Sequence, residues 1–277
     1  APEEIWGGLF CEKNVEQAIE LSAVDDKNVG RNLTIRLVAP REPEQLPLSD
    51  AEGKIAVSTK TTAAALRQLE LVYHDSVGES GTSRAVITPE GPKMIRAQFA
   101  PFPLGAFLST RHRFPQEDAD RFSSLERIRR QDEVLKILQI LEPRLRRLSV
   151  LITGGVPMVN ADLGIGELVP IPIAGEGMGR LLSMVLSILS MKSGFVLVDE
   201  FENGLHHSVM SKVWKAVGRA TREVDVQLFA TTHSWECVRA AHEAFDTDDT
   251  YDFMLHRLDR VEDKVSVISY DRETLAA

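Results

Sequence analysis

The stretch "FVLVDEFENGLHH", Phe195 to His207, constrains the fold more than any other. Four apolar residues run into two adjacent carboxylates, Asp199 and Glu200, and then into a turn that ends in paired histidines. A continuous β-branched and aromatic run is what a strand covered on both faces of a parallel sheet requires. The arrangement returns downstream, where "VQLFA" ends in "TTHS" at 231–234. Between the two, Val209, Val213, Trp214 and Val217 share one face of a helix expected over 207–224. Strand, helix, strand is a parallel βαβ unit, so both strands must end on the same side of one sheet.

The rest of the chain is arranged around that unit. From Gln17 to Phe99 apolar residues alternate: Ile19, Leu21 and Ala23, then Leu33, Ile35 and Leu37, then Ile55 and Val57, then Leu69, Leu71 and Tyr73. The turn-forming segments "DDKNVGRN" and "HDSVGESGTS" separate these runs, which together read as an antiparallel meander. Between Gln116 and Leu148 the period becomes helical, through Phe122, Leu125, Ile128, Leu135, Leu138 and Leu141, and reads as one continuous segment up to a break at Pro143. Short strands at Leu148 to Thr153 and Val156 to Val159 lead to "LVPIPIAGEGMGRLLSMVLSILSM", where Gly175 and Gly177 precede an almost wholly apolar, hence buried, helix. "YDFMLHRLDR" and "DKVSVISY" form a closing hairpin. The expected fold is α/β, a mixed sheet in one domain: a meander over 1–105, an inserted helical lobe over 106–190 and an α/β core over 191–277.

At 277 residues and 43% hydrophobic content, the chain can bury a substantial core. A formal charge of -9 opposes indiscriminate nucleic-acid binding. The basic clusters "ERIRRQ" and "RLRRL" could contact nucleic acid, but a solvated helix face explains them more simply. Cys11 and Cys237 are too few for a disulfide framework and suit a reducing, cytoplasmic setting. No apolar run has the length of a membrane span. Ala1 in place of Met, and "DRETLAA" at the other end, lead us to expect a piece of a longer polypeptide.

In an open α/β sheet, ligands bind beyond the carboxyl ends of the strands, where Asp199, Glu200 and His233 lie. Asp199 suits a Mg²⁺-organising carboxylate and Glu200 a base that polarises an attacking water. His233 could contact a γ-phosphate or that water. The plainer account, two carboxylates capping a turn, leaves the histidine at the end of the next strand unexplained. His206 and His207 are adjacent, so their side chains diverge and a shared metal is disfavoured. His233 and Cys237 alone do not make a zinc site, and Ser234 reads as a helix N-cap.

These motifs resemble the ABC-type branch of the P-loop NTPases, and more closely the bacterial AAA-type ATPases of the overcoming-lysogenisation-defect (OLD) group, whose long phrase is similar to "DEFENGLHHSVMSKVW" and "QLFATTHSWECVRAA". In that likeness "FVLVDE" is a Walker B strand, "TTHS" carries the switch histidine, and "AGEGMGRLL" stands where the signature turn belongs. The resemblance implies ATP and Mg²⁺ as cofactors, catalytic roles for Glu200 and His233, and a metal role for Asp199. It further implies a head-to-tail dimer in which Gly175, Glu176 and Gly177, with Asn203, Gly204 and His206, face the partner's nucleotide. Gln98 is a candidate Mg²⁺-sensing glutamine of this branch.

Two departures stand out. Gly175 occupies the place of the signature serine, so γ-phosphate recognition would rest on the backbone N–H groups of Gly175 to Gly177. No GxxxxGK[ST] loop occurs: "LSDAEGKI" has Leu48 and Ile55 at the wrong places, and "GESGTSR" lacks the lysine. The resemblance puts that loop upstream of Ala1, so this chain alone is expected to bind nucleotide poorly and to leave a strand without its neighbour. Relatives of the group often act in phage defence with a nuclease or other effector, fused or in trans. The alternatives are a degenerate ATPase-like scaffold, and a chromosome-maintenance ATPase, against which the short helical segment speaks.

Overall fold

The computed structural model describes residues 6, 9–10, 14–24, 28–39, 67–88, 91–95, 104–110, 114–247, 250–261 and 264–276. Gln98, Cys11, the run containing Ile55 and Val57, and "LSDAEGKI" lie outside them. The chain forms two compact units, 1–102 and 103–277.

The first unit is the meander. Strands β1 (Ile19–Val24), β2 (Gly30–Val38), β3 (Gln68–Asp75), β4 (Ser80–Thr88) and β5 (Gly91–Ile95) pair antiparallel in sequence order. Alternation sorts the faces: Leu69 packs with Trp6, Phe10 and Ala85, and Ile35, Leu37 and Leu71 line the same cluster. On the opposite face Glu70 sits in register between Arg36 and Arg84 and accepts hydrogen bonds from both, at 2.7 and 3.1 Å. "GESGTSR" is the turn into β4, where the Asp75 carboxylate accepts from the backbone N–H groups of Val77 and Glu79; it is no phosphate loop.

The second unit is α/β. Its parallel sheet has the order β11 (Gln227–Ala230), β10 (Phe195–Val198), β6 (Gly105–Leu108). Gly105–Leu108, which the expected bounds split between the meander and the helical lobe, is therefore a strand of this sheet, and β10 is its central strand; β11 and β6 each have one strand partner among the described residues. The expectation that β10 is covered on both faces is corrected too. Val196 and Val198 are buried, while Phe195 and Leu197 are each 36% exposed, on the face that also carries Phe107 and Phe229. Apolar character says that a strand prefers burial, but not how many layers are packed on it.

Antiparallel strands β7 (Arg147–Thr153), β8 (Val156–Asp162) and β9 (Leu168–Pro170) form a second sheet, and β12 (Leu255–Val261) with β13 (Lys264–Tyr270) the closing hairpin. The helices are α1 (Pro115–Arg127), α2 (Gln131–Leu138), α3 (Ile171–Ala174), α4 (Glu176–Ser190), α5 (His207–Val224), α6 (Trp235–Asp246) and α7 (Arg272–Ala276). The single helical segment expected over 116–148 is divided. Arg129 adopts φ 60°, and the N–H groups of Arg129 and Arg130 turn back to the carbonyls of Glu126 and Leu125, closing α1 with a Schellman motif before α2 begins. Helix α4 is the centre of the unit: every residue from Met178 to Leu189 is buried, against Phe122, Leu125, Val134, Leu138, Val196 and Val213 among others. Its Ser183 hydroxyl donates to the buried Asp118 carboxylate of α1 at 2.6 Å. Among the described residues no helix is long and apolar enough to cross a membrane.

Candidate active site

The backbone ladder of the parallel sheet continues past its strands. Asp199 N–H donates to the Leu108 carbonyl at 3.0 Å and Thr231 N–H to the Val198 carbonyl at 2.9 Å, so Asp199 stays in line between its neighbours. At Glu200 the chain turns away, with φ 50°, a left-handed conformation uncommon for a residue with a side chain. Phe201 anchors the far side of this turn: it is fully buried, stacked on Trp214 at 3.6 Å between ring centroids, and its N–H donates to the Thr231 carbonyl at 2.9 Å. Two polar residues at a strand end are tolerated because the next side chain is in the core.

Thr231 ties the two strand ends together. Its hydroxyl donates to the Asp199 carboxylate at 2.9 Å and accepts the N–H of Glu200 at 2.9 Å, and Thr110, after β6, donates to the other Asp199 oxygen at 3.4 Å. Asp199 and Glu200 are half-buried and His233 is exposed. The backbone N–H of His233 donates to the Glu202 carboxylate at 3.0 Å, so the segment carrying the histidine is bonded to the turn that carries Glu200. Ser234 is the N-cap of α6, accepting from Cys237 N–H at 3.2 Å, as its sequence position suggested. Beneath it Cys237 is fully buried, and burial pushes its thiol pKa up.

The glycine turn closes in from the other side. Gly175 precedes α4 at φ 140°, ψ 150°, a region that only glycine adopts without strain. That gives a local reason for glycine where the related signature has serine. Gly177, expected just before the helix, lies within its first turn; a Cβ there would collide with the Gly204 carbonyl. Gly204, at φ 74°, in turn lies against Glu176 and the Gly177 nitrogen. The structure thus brings Gly175, Glu176 and Gly177 together with the Asn203–His206 turn in one chain. His206 caps α5, its ring accepting from Ser208 N–H at 3.3 Å, and His207 is the first residue of that helix.

The main residue that sequence reasoning missed is Arg180. It is buried on α4 and its guanidinium donates to the backbone carbonyls of Ser109 at 2.8 Å, Asp199, and Glu200 at 3.4 Å. The signal was present: one cation in an otherwise apolar, buried helix must have a polar partner. In the basic clusters Arg130 pairs with Glu133 and Glu223, and Arg144 with Glu142. Among the described residues no group of three His, Cys, Asp or Glu side chains could hold a metal by itself. Asp199 alone still fits Mg²⁺, which takes one or two carboxylates and draws its other oxygens from water and phosphate. The 277 residues supply no GxxxxGK[ST] cradle for a triphosphate.

A parallel sheet that delivers two carboxylates and a histidine to its carboxyl end, beside a glycine turn opening a buried helix, defines an AAA-type P-loop ATPase domain. The family model described as "AAA domain, putative AbiEii toxin, Type IV TA system" matches residues 93–238, more than half of the chain, and the protein belongs to that family. An "ATP/GTP phosphatase" of Helicobacter pylori (strain ATCC 700392 / 26695) is 32% identical over 77 residues, 27% of this chain and 21% of that protein. The match therefore spans about a fifth of the relative's length. Among solved structures, an SMC head bound to the C-terminal winged-helix domain of ScpA aligns with a TM-score of 0.45 at 14% identity, over 76% of this chain and 77% of that one. The SMC head domain from Thermotoga maritima aligns at 0.36 and 12%, over 74% of each chain.

Proposed function

We propose that the domain hydrolyses ATP in a Mg²⁺-dependent reaction, as one head of a dimerising ATPase of the OLD-like group. Asp199 would hold the metal, whose contribution is to neutralise charge on the phosphates. Glu200 orients a water and takes up its proton, and His233 contacts the γ-phosphate or that water. The N–H groups of Gly175 to Gly177, with Asn203, Gly204 and His206, face the nucleotide held by a second copy. Phage defence with a nuclease or other effector partner is the cellular role we assign to such a head, in the cytoplasm.

The observation that supports this reading is the shared hydroxyl of Thr231, which bonds the Asp199 carboxylate and the Glu200 N–H at the same time. The adjacent strand thereby fixes the carboxylate of Asp199 and the main chain of Glu200, which two residues that merely capped a turn would not need. The test is ATP turnover by the natural full-length protein and its Glu200→Gln variant. Removal of the base should lower kcat by about 100-fold or more; equal rates would sink the role given to Glu200.

A further inference from the structure

We infer that Arg180 is a positioning residue that holds Glu200 in its catalytic conformation; this rests on the hydrolytic reading above. Four observations converge on it. Arg180 is 3% exposed, so its guanidinium has left water and must be compensated by protein groups. The compensation comes from main-chain oxygens at the ends of two neighbouring strands: Ser109 after β6, and Asp199 and Glu200 after β10. Those last two carbonyls bracket the residue whose φ is 50°, the point where the chain leaves the sheet. Finally, Arg180 is borne by α4, the helix that starts at the Gly175–Gly177 turn, so one rigid element carries both the glycine turn and the clamp.

The physical task follows from these facts. A left-handed non-glycine residue is strained and persists only when its surroundings over-determine it. At Glu200 the N–H side is fixed by Thr231 and the C=O side by Arg180 and by the Asn203 N–H, which donates at 3.0 Å. The fork of a guanidinium can reach carbonyls on two strands at once, whereas an ammonium is a single point of charge. Arg180 does not touch substrate; it fixes the main chain from which the base projects. Movement of α4 would be felt at Glu200 through the same bonds.

The experiment compares wild type, Arg180→Lys, Arg180→Met and Glu200→Gln in the natural full-length protein, by ATP turnover and by amide hydrogen exchange. We expect exchange over 199–204 to rise at least tenfold in Arg180→Met and less in Arg180→Lys, with peptides over 207–224 unchanged. We expect kcat to fall by about 100-fold in Arg180→Met, with KM for ATP within about twofold of wild type, and partial rescue in Arg180→Lys. Unchanged exchange over 199–204 in Arg180→Met overturns the clamp irrespective of turnover. Unchanged kcat in Arg180→Met, in an assay where Glu200→Gln is inactive, overturns its positioning role. Should Arg180→Met not fold, the Arg180→Lys protein decides: exchange and kcat both equal to wild type overturn the proposal. Wild type and Glu200→Gln turning over equally would instead refute the hydrolytic reading, while the exchange result still judges the clamp.

Discussion

Replacing Thr231 by valine keeps the shape of the side chain and removes one hydroxyl that makes two bonds. The main-chain bonds of residue 231, to the Val198 carbonyl and from Phe201 N–H, are untouched, so the strand should remain in place. The hydroxyl's bond to the Asp199 carboxylate is charge-assisted, and its loss also deprives Glu200 N–H of an acceptor. Bonds to charged groups contribute about 1.5–3 kcal/mol and an abandoned donor costs about 1–3 kcal/mol when buried. Thr231 is exposed and water can replace part of both, so about 2 kcal/mol in total is the reasonable expectation. If that loss falls on the positioning of the two carboxylates, kcat drops by about 30-fold. Thr231→Ser, which retains the hydroxyl, should stay within about threefold of wild type. The assay is steady-state ATP turnover at saturating Mg²⁺ in the natural full-length protein, with thermal unfolding as the check on folding. A valine variant that folds and turns over within twofold of wild type would refute the argument that Thr231 sets the site.

Gly177→Ala should destabilise the protein by about 1–3 kcal/mol, because the new Cβ meets the Gly204 carbonyl, which is backbone and cannot swing aside; thermal unfolding reads this, and an unchanged midpoint would contradict the contact. Cys237, buried with a raised thiol pKa, should resist alkylation in the native protein at pH 8 and react only after denaturation, as mass spectrometry of the 235–246 peptide would show. Burial raises the Glu70 pKa, but hydrogen bonds and charge from Arg36 and Arg84 outweigh it and hold it below the ordinary value. A carboxyl depressed in the folded state contributes stability above its unfolded pKa of about 4.3, and loses it as pH falls through the lower folded value. Glu70→Gln should therefore be less stable at pH 7 by about 1–2 kcal/mol, discounted because Arg36 is half-exposed, with the gap to wild type closing below about pH 4. A gap that does not change between pH 7 and pH 3 would count against the ion pairs.

Several elements were legible without coordinates because their causes are local. The period-two runs around Leu33 and Leu69 make strands, the face of Val209, Val213, Trp214 and Val217 makes the helix 207–224, and a hydroxyl at Ser234 caps the next one. Asp199 and Glu200 could be assigned to a strand end because charge cannot continue a buried run. The division of the segment 116–148 was not legible: it depends on Arg129 accepting a left-handed conformation, a preference that arginine does not announce. Gly105–Leu108 is too short a strand to be distinguished from a loop until its neighbour β10 pairs with it.

Sequence by itself determined most of the elements and their order, and it nominated the residues whose chemistry could act: Asp199, Glu200, His233 and the glycines 175 and 177. These follow from side-chain periodicity and from the intolerance of buried strands for charge, which act over a few neighbouring residues. Only the tertiary structure decided that Thr231 bonds both carboxylate-bearing residues, that Gly177 lies on Gly204, and that Arg180 reaches the carbonyls of Asp199 and Glu200. Each of those contacts joins residues of different elements. Its geometry depends on how the strands and α4 pack, and a hydrogen bond is made or lost over less than an ångström.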